Sequence, residues 1–216
     1  MQAVDFASWP RREIYEFFSP ISNPFYSVTF RLDVTALHRY TKAKGLSFYH
    51  SLIWLCTRAM ERVEAFSYAV EEGRVVKLAG RRPSFTHLKP GSDSFQIVTL
   101  PCEGSMEDFC AAAKKKAEEQ DYFIDFSGEG IDMIFFSCLP WLDVTALTNE
   151  RNLDVDDAIP RIAWGKYVEE NGRETLGLSV EVNHRFIDGV HIGRFAQELE
   201  RMIAELGRDG QSGLEG

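Results

Sequence analysis

The spacing of apolar side chains changes period along the chain, and each period predicts an element. Arg11 to Phe18 carries apolar positions at helical intervals and stops before Pro20, whereas Phe25 to Val34 alternates β-branched and aromatic residues as a strand does. Thr35 to Lys44 reads as a helix closed by Gly45. Ser47 then caps a longer helix whose apolar positions Leu52, Leu55, Cys56, Ala59, Met60 and Val63 recur along one stripe. The period next shortens. Tyr68 to Val70, Val75 to Leu78, Pro83 to His87 and Phe95 to Leu100 are short runs split by Glu71-Glu72-Gly73 and Pro90-Gly91-Ser92-Asp93, which predicts an antiparallel meander. Ser105 to Glu119 returns to helical spacing, and Met133 to Cys138 is a compact apolar strand. Arg161 to Glu169 is expected to pair with Thr175 to Val182 across Glu170-Asn171-Gly172. A last helix over Val190 to Leu206 turns Ile192, Phe195, Ala196, Leu199, Met202 and Ile203 inward.

Together these elements predict an α/β fold, an α+β two-layer sandwich in which a mixed, largely antiparallel sheet is packed by helices. Neither an internal repeat nor a low-complexity linker divides the chain, so residues 1–206 are expected to form one domain. The tail from Gly207 to Gly216 holds four glycines and scattered charge and is expected to be flexible.

Composition narrows the classes of function. The chain has 216 residues, 44% of them hydrophobic, which is enough for a substantial core in one domain. With a net charge of -9 and a pI near 5.1, it offers no basic stripe for nucleic acid. Lys114-Lys115-Lys116, followed by Glu118 and Glu119, reads as a solvated helix face. No apolar stretch approaches the length of a membrane span and the first ten residues lack a signal-peptide pattern, so a cytoplasmic protein without a membrane partner is expected. Cys56, Cys102, Cys110 and Cys138 show no C-x-x-C spacing, which points away from a metal site or a disulfide framework.

The candidate chemistry lies in Asn183-His184-Arg185-Phe186-Ile187-Asp188-Gly189, at the end of an apolar, strand-like run. A histidine titrates near neutrality and can take a proton from a hydroxyl and return it within one turnover. The Asp-Gly pair four residues on allows a sharp turn in which the carboxylate bonds locally. No G-x-G-x-x-G follows a strand, and neither G-x-x-x-x-G-K-[ST] nor G-x-S-x-G occurs, so nucleotide cradles and the hydrolase elbow are missing. The histidine is therefore expected to work without a protein nucleophile.

Four separated matches carry a resemblance over nearly the whole chain. They are Trp9-x-Arg11, Ser47-Phe48-Tyr49, Phe135-Phe136-Ser137-Cys138-Leu139-Pro140-Trp141, and His184-x-x-x-Asp188-Gly189 followed by His191-x-Gly193-Arg194. In this order they resemble the chloramphenicol acetyltransferase family. The resemblance implies a homotrimer with active sites between subunits, and a ternary-complex reaction in which acetyl-CoA donates its acetyl group directly to the hydroxyl of a small-molecule acceptor. It further implies that His184 is the general base, that Ser137 donates a hydrogen bond to the tetrahedral oxyanion, and that Asp188 and Arg11 form a pair locking the loop behind the histidine. Tyr49 and Trp141 would lie along the coenzyme A path, and Phe17, Phe18, Phe25, Tyr26 and Phe95 would line the acceptor pocket. Two residues depart from the family pattern. Asn183 stands where a second histidine is usual, and Ala163 stands where a threonine helps to hold an ordered water near the oxyanion. Two other readings share the fold: a dihydrolipoyl acyltransferase catalytic domain, whose motif is much like Asn183 to Gly189, and a non-catalytic trimeric ligand-binding homologue.

Overall fold

The structure, a computed structural model, describes residues 1–125 and 130–212. The chain opens with a two-residue strand β1 (Gln2–Ala3), helix α1 (Arg12–Phe18) and the long strand β2 (Phe25–Asp33). Two helices follow, α2 (Thr35–Lys44) and α3 (Phe48–Glu61). Their junction is built as the sequence indicates: Gly45 takes a left-handed φ of 65° that a side chain would resist, and Ser47 Oγ accepts the His50 N–H at 3.3 Å. Strands β3 (Tyr68–Glu71), β4 (Arg74–Lys77), β5 (Arg82–Leu88) and β6 (Phe95–Thr99) lead to helix α4 (Met106–Glu119), which starts in a capping box made by Ser105 and Asp108. Strands β7 (Met133–Leu139), β8 (Arg161–Gly165), β9 (Val168–Glu170) and β10 (Arg173–Asn183) precede the terminal helix α5 (Gly189–Ser212).

The expected meander divides into two hairpins in different sheets. β3 and β4 pair with each other and with β1, whereas β5 and β6 form the far edge of a seven-stranded sheet ordered β2-β10-β8-β7-β5-β6, with β9 beside β10. The division falls at Arg81. This residue is buried and donates to the carbonyls of Phe66, Tyr68, Ile131, Met133 and Ala158, so it clamps the small sheet to the large one instead of continuing a hairpin. The strand expected over Arg161 to Glu169 is also interrupted, because the Lys166 N–H leaves the ladder to bond the Leu142 carbonyl at 2.8 Å. The turn that follows is as expected: Asn171 and Gly172 have φ of 54° and 77°, the left-handed pair that a two-residue hairpin needs. α5 continues through Gly207 to Ser212, past the Leu206 end given by apolar spacing, and residues 213–216 of the expected tail lie outside the described residues.

The large sheet is mixed. β5–β7 and β7–β8 are parallel, and every other pairing in it is antiparallel. Its two faces differ in chemistry. Phe136, Ile162, Trp164, Leu178, Val180 and Val182 are buried in the main core with side chains of α2, α3, α4 and α5. On alternate positions Ser137, Ala163 and Ser179 stand in register across three strands, with Glu181 further along β10. The segment 140–160 covers part of this second face. Ser179 Oγ donates to the Leu147 carbonyl at 2.8 Å, and the Glu181 carboxylate accepts the Asn149 N–H at 2.9 Å. Gly177 is required beneath it, since a Cβ there would sit 1.8 Å from the Val144 carbonyl oxygen.

Candidate active site

His184 follows β10 directly, and three contacts hold it. Its N–H donates to the Pro24 carbonyl at 2.8 Å, the Phe18 ring stacks on the imidazole with centroids 4.0 Å apart, and the Tyr26 ring lies at 4.5 Å. The ring keeps about a third of its surface open, with a side-chain exposure of 35%. Partial burial disfavours the imidazolium and holds the pKa of His184 below its usual value; Asp188 opposes the shift and Arg11 adds to it. The imidazole is thus neutral and able to accept a proton at neutral pH.

Arg11 fixes the turn after His184 with a full set of bonds. Its guanidinium forms two bonds to the Asp188 carboxylate, at 2.5 and 2.7 Å, and donates to the carbonyls of His184 and Arg185 at 2.8 Å each. These bonds, together with the nearby positive charge, keep the carboxyl of Asp188 below its usual range. The nearest approach of Asp188 to His184 is 3.4 Å, longer than a charge-assisted bond, so the carboxylate belongs to Arg11 and not to a serine-protease-like triad. The Asp188 N–H in turn donates to His191 Nδ1 at 2.9 Å.

Ser137 lies elsewhere. It lines a cavity of about 720 Å³ together with Tyr49, Phe95, Phe135, Trp141 and Arg161, among others. Tyr49 is partly buried and its hydroxyl donates to the Thr86 carbonyl at 2.8 Å, whereas Trp141 is 68% exposed. The expected acceptor residues are divided between the two places. Phe18 and Tyr26 touch His184, Phe17 packs on Phe18 while staying exposed, and Phe25 carries the Arg151 guanidinium 3.7 Å from its ring centroid. Phe95 alone of that set lines the Ser137 cavity.

One chain therefore does not bring its two candidate catalytic groups together. Ser137 is in register with Ser179 through Ala163, and His184 lies five residues further along β10, so the two Cα atoms are roughly 19 Å apart at ordinary strand spacings. They also project to opposite sides of the sheet: Ser137 points into the cavity, and His184 points toward α1 with Tyr26.

The two departures have clear places. Asn183 is buried and satisfied, donating to the Val155 and Asp157 carbonyls and accepting from the Arg185 N–H, so it ties the 140–160 segment to β10. Ala163 is the direct neighbour of Ser137 across β7–β8 and offers no hydroxyl beside it. Sequence reasoning missed Phe135, Asn149 and Arg161 in the cavity wall. Phe135, two residues before Ser137 on a strand, could have been found from the period of two. Arg161 and Asn149 could not, because Arg161 depends on the parallel β7–β8 register and Asn149 on a bond to the distant Glu181.

Comparison with known proteins places the family and the fold. The family model for chloramphenicol acetyltransferase matches residues 1–200. The chloramphenicol acetyltransferase of Clostridium perfringens is 26% identical over 205 residues, covering 93% of this chain and 94% of that protein. That of Escherichia coli is also 26% identical, over 94% of this chain and 93% of its own. A solved chloramphenicol acetyltransferase superposes with a TM-score of 0.86 at 23% identity, covering 94% of this chain and 99% of that one. The dihydrolipoamide acetyltransferase of Azotobacter vinelandii shares the fold more distantly, with a TM-score of 0.69 at 18% identity over 95% and 97% of the two chains. The fold is that of an acyltransferase. The chain belongs to the chloramphenicol acetyltransferase family.

Proposed function

We propose that the chain is an acetyl-CoA-dependent O-acetyltransferase that modifies a hydroxyl of chloramphenicol or a similar acceptor, and that it works as a cytoplasmic homotrimer with sites between copies. One observation carries this reading. A neutral, anchored and partly open His184 stands at one end of the sheet, and an oxygen donor, Ser137, stands in a cavity on the opposite face. Each half is built, and neither is complete within one chain. A second copy that sets its His184 at the mouth of the Ser137 cavity unites them.

In that joint site His184 takes the proton of the acceptor hydroxyl as its oxygen attacks the thioester carbonyl of acetyl-CoA. The carbonyl π electrons move onto oxygen, and Ser137 Oγ donates a hydrogen bond to the resulting anion, a contribution of about 3 to 4 kcal/mol for one donor. Collapse of the intermediate breaks the carbon–sulfur bond. The imidazolium then returns its proton to the thiolate, leaving the acetyl ester and free coenzyme A. Tyr49 and Trp141 supply aromatic surface for the coenzyme, and Phe17, Phe18, Phe25 and Tyr26 supply it for the acceptor. Arg11 and Asp188 hold the His184 backbone in place without touching the reacting atoms.

The test is acetyl transfer by purified protein, read as thiol release and as the acetylated product by mass spectrometry, with dihydrolipoamide as the comparison acceptor. Acetylated chloramphenicol, lost on His184→Ala, supports the proposal. Turnover with dihydrolipoamide alone would move the reading to the lipoyl branch of the fold, and tight binding without product would make the chain a ligand-binding homologue.

A further inference from the structure

The wall of the Ser137 cavity contains two buried donors that make no hydrogen bond among the described residues. They are Asn149 Nδ2 and Arg161 Nη1, both shielded from solvent, and both residues line this cavity. The Asn149 N–H is spent on Glu181, and Arg161 lies over the Phe135 ring at 5.5 Å. Carboxylate oxygens of Asp157 and Glu181 approach Arg161 Nη1 at 3.3 and 3.9 Å without completing a hydrogen bond. Leaving such donors without a hydrogen bond is costly, so an acceptor atom that fills them gains affinity selectively.

Charge decides what kind of acceptor atom fits. Arg151 and Arg161 are matched by Asp157 and Glu181 in one buried network, so the guanidinium charges are already balanced. Asp93 and Glu150 also line the cavity and add negative charge. An anionic ligand group would meet net repulsion, whereas a neutral oxygen would meet two donors.

Position decides which substrate uses them. Phe135, the register partner of Arg161, lies two residues before Ser137 on β7, and Trp141 lies four residues after it, so Arg161 and Trp141 flank the serine on opposite sides. Trp141 marks the coenzyme side under the reading above. The Arg161 side also leads through Arg151 to Phe25, which stacks under that guanidinium. We infer that Asn149 and Arg161 form a specificity subsite for an uncharged oxygen-accepting group, such as a nitro or carbonyl oxygen, on the hydroxylated acceptor. The inference rests on the acetyltransferase reading for the identity of that ligand, and on the orphaned donors for its chemistry.

The experiment compares chloramphenicol with its analogue in which hydrogen replaces the nitro group, by calorimetric binding and by kcat/KM, in the wild type and in Asn149→Leu. The wild type is expected to favour the nitro compound by about tenfold or more, through KM, and Asn149→Leu to reduce that preference below about threefold. KM for acetyl-CoA serves as the reference for the other side of Ser137. Arg161→Lys, which keeps the charge and removes the forked donor, is expected to reduce the preference in the same direction. A preference absent from the wild type, or unchanged in Asn149→Leu, overturns the inference, as does an effect confined to the acetyl-CoA KM. Failure of the acetyltransferase reading has a different signature: neither compound is acetylated, while calorimetry still reports the nitro preference.

Discussion

Under the proposed mechanism His184, Ser137 and Asp188 make separate contributions, and each can be removed on its own. With the ring as the proposed proton acceptor, His184→Ala is expected to lower kcat by about 10² to 10⁴ with little change in melting temperature. Ser137→Ala removes one oxyanion donor and should cost about 10² to 10³ in kcat, with KM for both substrates nearly unchanged, because the bond is made to the anion and not to the bound thioester. The pH profile follows from the direction of the histidine shift. Burial depresses the pKa, the neutral form is the active one, and activity is lost as pH falls through it, so the acid limb of kcat/KM is expected below about pH 6.5. Asp188 pulls that pKa up and Arg11 pushes it down, so Asp188→Asn should move the limb to still lower pH as well as loosen the loop. A limb that moves upward in Asp188→Asn would contradict this account of the electrostatics.

At the scale of elements, legibility followed locality. Helices α2, α3 and α4 were readable because their stop and start signals, Gly45, Ser47 and Ser105, act within a few residues of the backbone they cap. The Asn171-Gly172 hairpin was readable for the same reason. The partition of β3–β4 and β5–β6 into different sheets was not, since it depends on Arg81 bonding five carbonyls spread from Phe66 to Ala158. Of the candidate site, Arg11 bonds Asp188 and Asp188 lies 3.4 Å from His184. Asn149 and Arg161 carried no local signal, because the parallel β7–β8 register sets Arg161 beside Phe135 and the bond of its N–H to Glu181 holds Asn149. Gly177 illustrates the same point from the opposite direction. It appears in the sequence as an unremarked strand glycine, yet the 140–150 segment passes directly over it. Gly177→Ala should displace that segment and lower thermal stability by several degrees, and KM for acetyl-CoA should rise because Trp141 is carried on the displaced chain. An unchanged melting curve would show that the segment relaxes freely.

At the scale of the molecule, the sheet both makes the site and divides it. Its two faces differ because alternate residues on β10 are apolar on one side and polar or small on the other. The same alternation sends Ser137 and His184 in opposite directions. No small side-chain motion closes a gap of roughly 19 Å across a packed sheet, so catalysis by both groups requires two copies of the chain. Exposed Ile14, Phe17 and Ile21 in and after α1, near the histidine, offer apolar surface for such an assembly. Sedimentation at micromolar concentration is expected to give a species of three chains. The most direct test mixes two inactive proteins, His184→Ala and Ser137→Ala, co-expressed so that they assemble together. If the groups act across a shared boundary, some sites in the mixed assembly receive an intact histidine from one copy and an intact serine from another, and activity returns to about one quarter of the wild-type value for random equal mixing. Activity that stays at the sum of the two separate variants would contradict the account.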